Sequence, residues 1–120
     1  MAILHLSLTL DCVDLDRTAA FWSGALGFDD VEFDGDYALV RGTGDLSGVR
    51  GVTLQRVPEP KTVKNRMHLD LVTDEVAPEV RRLVDLGASI VADAVEGDPY
   101  ETVIMGDPEG NEFCVIKAIS

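Results

Sequence analysis

The chain is written twice, and this constrains its fold more than anything else in the sequence. Leu6 to Leu10 reads as a strand. Asp14-Leu15-Asp16 follows and offers carboxylates to cap a helix start. Thr18 to Leu26 reads as that helix, and Gly27 ends it, because glycine accepts the left-handed conformation of a helix C-terminus. The same order returns later in the chain. His68 to Val72 reads as a strand, and Asp74 and Glu75 precede a helix with Pro78 in its first turn. Val80, Leu83 and Val84 share one helical face, and Leu86-Gly87 closes the helix. Three strand-like stretches follow each helix. In the first half they are Phe28 to Phe33, Tyr37 to Gly42 and Val49 to Val57; in the second, Ser89 to Ala94, Glu101 to Met105 and Glu112 to Ala118. Gly51 and Gly110 are read as opening the last strand of each half. The expectation is an α+β fold of two βαβββ modules in one domain over residues 1–120. Module one covers about 1–57, Pro58-Glu59-Pro60-Lys61 is the linker, and module two covers about 62–120.

Composition agrees with a packed domain. Hydrophobic residues make up 46% and charged residues 27% of the 120 positions, enough apolar surface for a core. The formal net charge of -12 disfavours nucleic acid and anionic membrane surfaces as partners. No apolar run approaches the ~18 residues that a spanning helix needs. Met1 to Leu10 lacks the basic and apolar regions of a secretory signal. Cys12 and Cys114 each sit in a strand-like stretch and are expected as free buried thiols, which points to a reducing, cytoplasmic setting.

Three segments carry a family resemblance. Leu10-Asp11-Cys12-Val13-Asp14, with Ala20-Phe21-Trp22 and Ala25-Leu26-Gly27-Phe28, resembles the first module of glyoxalase-like proteins of the vicinal oxygen chelate superfamily, which includes bleomycin-resistance proteins and dioxygenases. Asn65-Arg66-Met67-His68-Leu69-Asp70-Leu71 is similar to the start of the second module, and Gly106-Asp107-Pro108-Glu109-Gly110-Asn111-Glu112-Phe113-Cys114 to its closing turn and strand. The Asp107 to Asn111 stretch also has a local explanation as a hairpin turn, since proline presets one dihedral while glycine and asparagine accept positive φ. The resemblance implies a curved-sheet cup, a small-molecule ligand and often a homodimer. In metal-using members, four strand positions hold one divalent ion (zinc, nickel, manganese or iron), which polarises two neighbouring substrate oxygens. Other members bind antibiotics without metal.

By the repeat, the four positions are read as Ser7, Gln55, His68 and Cys114. Only His68 is a customary ligand. Gln55 is a poor neutral donor, Ser7 a poorer one, and Cys114 is a zinc-type thiolate out of character beside them. A shifted set of His5, His68 and Glu112 is the alternative, because side chains two apart on a strand share a face; it requires displacement by ~6.6 Å along the strand. Asp70 shares the face of His68 and is read either as orienting the imidazole, as a general base, or as a solvated strand residue. Trp22 is read as core packing or as pocket wall. Arg41, Arg50 and Arg56 are weighed as contacts for an anionic substrate. No Ser/His/Asp or Cys/His nucleophile arrangement has sequence support. Three functions follow: a metal-assisted lyase or isomerase with an atypical site, a metal-free protein that sequesters an antibiotic or metabolite, or a degenerate partner-binding domain with no ligand.

Overall fold

The computed structural model describes residues 7–46, 49–93 and 97–118. It divides into two compact units, 1–60 and 61–120, so the boundary falls within the Pro58–Lys61 stretch. The first unit runs β1 (Thr9–Cys12), α1 (Leu15–Leu26), β2 (Asp30–Asp34), β3 (Tyr37–Leu46) and β4 (Val49–Arg56). The second runs β5 (Leu69–Thr73), α2 (Val76–Leu86), β6 (Ser89–Ala92), β7 (Val103–Gly106) and β8 (Glu112–Lys117). Each unit holds one four-stranded sheet, ordered β1-β4-β3-β2 and β5-β8-β7-β6. The first strand of each unit lies parallel to its last, and the other neighbours are antiparallel. The expected α+β fold with repeated βαβββ units is therefore observed.

Local chemistry sets the helix ends. α1 begins three residues earlier than Thr18, at Leu15, because Asp14 caps it: its side chain accepts the Arg17 N–H at 3.1 Å. Thr18 adds a second tie, its Oγ1 donating to the Asp14 carbonyl at 2.7 Å. Gly27 and Gly87 close the two helices at φ 69° and 118°, conformations that an L side chain resists. α1 seats Leu15, Thr18, Ala19, Phe21, Trp22 and Ala25 against its own sheet's core, and α2 seats Val76, Val80 and Leu83. Val40, Val52 and Leu54 complete the first core, while Met105, Phe113 and Val115 complete the second. Trp22 is 1% exposed and meets Phe21 edge to face at 5.2 Å, so its indole is packed into the first core and forms no open wall.

The Asp107–Asn111 turn is built around one buried carboxylate. Asp107 is 3% exposed. Its Oδ1 accepts the N–H groups of Glu109 and Asn111 at 2.9 and 2.8 Å, and its Oδ2 accepts Asn111 Nδ2 at 3.1 Å. This joins β7 to β8 and fixes where Cys114 falls on the sheet. Gly110 belongs to the turn, at φ 83°, and precedes β8. Gly51 instead lies inside β4, where an added Cβ would meet the Val40 carbonyl oxygen at 2.8 Å. The two glycines are not counterparts, contrary to the sequence expectation. One admits a turn and the other admits a neighbouring strand.

Candidate functional site

The strand ladders decide which side chains share a face. Ser7, Thr9 and Asp11 are exposed and alternate with half-buried Leu8 and Leu10 and buried Cys12. In the second unit, His68, Asp70 and Val72 are exposed and alternate with half-buried Leu69, Leu71 and Thr73. Asp70 pairs with Cys114, and Thr9 pairs with Thr53, so partners stand 44 positions apart in both units. One offset must then carry both strands of a unit onto their counterparts. The helix starts, Leu15 and Val76, and the strand ends, Cys12 and Thr73, set it at 61. His68 corresponds to Ser7 on that offset, as expected, but Cys114 corresponds to Thr53. Gln55 pairs with Asp11 and is not the counterpart of Cys114. The sequence reading set that strand from Gly51 and Gly110, which explains the slip of two residues.

In the second unit, three expected residues converge. His68 Nδ1 lies 3.1 Å from Asp70 Oδ1 and 3.7 Å from Cys114 Sγ. The three donor atoms all lie within 4.8 Å of one another. His68 and Asp70 have side chains 45% and 49% exposed, while Cys114 is 7% exposed at the floor. Burial pushes the Cys114 thiol above its ordinary value, and the Asp70 charge and hydrogen bond push the same way. Among the described residues this is the grouping of three or more such side chains able to surround one ion.

The geometry excludes a cysteine nucleophile of the usual kind. There, imidazole accepts from the thiol with one nitrogen and donates to a carboxylate with the other. Here both partners face the same Nδ1, which cannot accept and donate at once. A thiol held protonated is also a weak nucleophile. The cluster does fit a metal. Zinc bonds of about 2.0–2.3 Å put neighbouring ligand atoms roughly 3.5 Å apart. The two partner distances to Nδ1 bracket that value, and the exposed His68 and Asp70 side chains are free to adjust.

Other candidates have different duties. Glu112, expected as a shifted ligand, uses Oε1 to accept Lys61 Nζ and the Asn65 N–H, each at 3.2 Å. Burial raises its pKa, but these two bonds and the charges of Lys61 and Lys64 outweigh that and hold it below its ordinary value. Glu112 therefore ties the segment leading into β5 onto β8, a role absent from the sequence reading because Lys61 lies 51 positions away. His5 falls outside the described residues. Ser7 and Gln55 belong to the first unit, exposed and half-buried respectively. Arg41 is paired with Asp30 and Glu32, and Arg56 with Asp36, while Arg50 is exposed. Both cysteines are free and buried, as expected. Among the described residues, no helix is long and apolar enough to cross a membrane.

Comparison with known proteins adds the family. A family model described as glyoxalase-like domain matches residues 7–116. No curated protein sequence matches the chain. Solved structures do. A glyoxalase/bleomycin resistance protein/dioxygenase family enzyme from Burkholderia phytofirmans PsJN superposes with a TM-score of 0.73 at 15% identity, over 94% of this chain and 97% of that one. The fosfomycin resistance protein FosX from Mesorhizobium loti gives a TM-score of 0.71 at 16% identity, over 99% and 95%. The E126Q variant of FosX from Listeria monocytogenes, complexed with Mn(II) and 1S,2S-dihydroxypropylphosphonic acid, gives 0.72 at 16% identity, over 95% and 90%.

Proposed function

The chain belongs to the glyoxalase-like domain family, and on that premise we propose that it is a small-molecule protein of the lyase or isomerase type that uses one divalent metal ion. The convergence of His68, Asp70 and Cys114, with donor atoms within 4.8 Å of one another, carries this reading. The three would hold the ion through an imidazole nitrogen, a carboxylate oxygen and a sulfur. A bound ion supplies Lewis acidity toward two neighbouring oxygens of a substrate. The protein's own part is to hold the three donors together. His68 Nδ1 and Asp70 Oδ1 already stand 3.1 Å apart, facing the place that the ion would take, and the Glu112–Lys61 pair braces the strand next to the site. The partner in this reading is a small molecule and neither nucleic acid nor membrane, the protein works in the cytoplasm, and two copies form a homodimer.

A metal-free binding protein is the second reading. The neutral side chains of Ser7, Thr53 and Gln55 favour it, as does the Cys114 thiol held protonated. Metal content of the purified protein, with and without added zinc, nickel, manganese and iron, separates the two. About one ion per chain, lost in His68→Ala, supports the metal reading and justifies a screen of vicinal-oxygen substrates. No ion under any condition rejects it, and ligand-induced thermal shifts with antibiotics and metabolites then test the binding protein.

A further inference from the structure

We infer that the ion is held by the second unit alone, in a thiolate site of the zinc class made by Cys114, His68 and Asp70. The inference rests on the metal reading above and specifies its ligands and its ion.

Three observations carry it. First, Asp70 stands opposite Cys114 in the parallel β5·β8 pair, and His68, the residue just before β5, brings its Nδ1 to 3.1 Å from Asp70 Oδ1 and 3.7 Å from Cys114 Sγ. The β5·β8 ladder therefore sets the Asp70–Cys114 spacing, and all three donors lie within the second unit. Second, the first-unit residues at or beside the corresponding positions are Ser7, Thr53 and Gln55. Each offers only a neutral oxygen, which competes poorly against a thiolate, an imidazole and a carboxylate. Third, the donor set is mixed and includes sulfur. Sulfur, nitrogen and oxygen together suit zinc, which with three protein ligands can expand from four- to five-coordination to take two substrate oxygens, whereas manganese prefers oxygen donors. The FosX complex with Mn(II) shares this fold at 16% identity. The presence of Cys114 separates this chain's preference from manganese. On binding, the thiol gives up its proton to solvent and sulfur bonds the ion.

Cobalt serves as the spectroscopic probe, because a thiolate ligand adds a charge-transfer band in the near ultraviolet and tetrahedral coordination intensifies the visible bands. Chelator-treated full-length protein is titrated with Co(II), then with Zn(II) or Mn(II). The expected result is one cobalt per chain with both signatures, displaced by equimolar zinc and retained against excess manganese. Cys114→Ser should lose the charge-transfer band. Asp70→Asn and His68→Ala, both at exposed positions, should weaken zinc binding by roughly tenfold or more. A combined Ser7→Ala, Thr53→Ala and Gln55→Ala variant should bind zinc as the parent does. Circular dichroism checks that each variant is folded; if Cys114→Ser is not, the charge-transfer band of the parent decides alone. Stoichiometric metal without a charge-transfer band, or a manganese preference, overturns the thiolate site while leaving a metal-using protein. Lost affinity in the combined variant overturns the single-unit assignment. No binding of any ion overturns both this inference and the metal reading beneath it.

Discussion

The two halves share strand order, ladder spacing and helix closure, yet they differ in what they bury and what they expose. In the first, α1 seats six residues, Phe21 and Trp22 among them, and Asp14 caps the helix with a side-chain bond. In the second, α2 seats three aliphatic residues, and Glu75 precedes it with no side-chain cap bond. All four residues of β6 are exposed. That lighter half carries the donor cluster. The difference teaches that the repeat is specified by features common to both halves: an apolar helical stripe, a left-handed glycine and a parallel first-to-last strand pair. Core volume and capping are added unequally. The donor cluster falls in the half whose helix buries fewer residues.

Substitutions can break this contrast or sharpen it. The largest effect is expected for Trp22→Ala, which should lower the unfolding free energy by about 3–5 kcal/mol, because a fully enclosed indole leaves a void. Urea unfolding measures it, and an equal or larger loss for Leu83→Ala would mean that the second core is no lighter. Asp107→Ala should cost about 1–3 kcal/mol in the same assay, since two backbone N–H groups lose their acceptor. A loss confined to within a few tenths would show that the turn holds without its carboxylate. Asp14→Ala should cost about 1 kcal/mol and Glu75→Ala close to nothing, because only the first cap bond exists. Equal costs from thermal unfolding would erase the difference between the helix starts. The smallest effect is a pH dependence. The N–H groups of Thr102 and Tyr100 hold Asp98 below its ordinary value of 3.8. Its stabilisation is therefore complete above that value and fades as pH falls through the lower folded value. Asp98→Asn should destabilise at neutral pH and converge with the parent in acid; a gap that stays constant with pH would assign the effect to something other than this charge.

Much of the fold was legible because its signals are local. Leu26-Gly27 and Leu86-Gly87 mark helix ends within two residues, and Asp107 to Asn111 carries the chemistry of its own turn. The grouping of His68 with Asp70 followed from strand alternation alone. Register was harder. Two glycines looked like repeat landmarks, but Gly51 clears the Val40 carbonyl whereas Gly110 adopts positive φ, and a sequence shows the residue without the reason for it. That shifted the counterpart of Cys114 from Thr53 to Gln55. The Glu112–Lys61 pair was illegible for another cause: no periodicity connects a linker lysine with a strand glutamate 51 positions away.

Trp22 is the sole tryptophan of the chain, and it is enclosed in the first unit. Intrinsic fluorescence excited at the indole therefore reports on the first core. The far-ultraviolet dichroism reports on the helices and strands of both units. Coincidence of the two signals through a denaturant titration would show that the repeats melt as one cooperative body, and their separation would give the stability of each repeat individually, with no label attached.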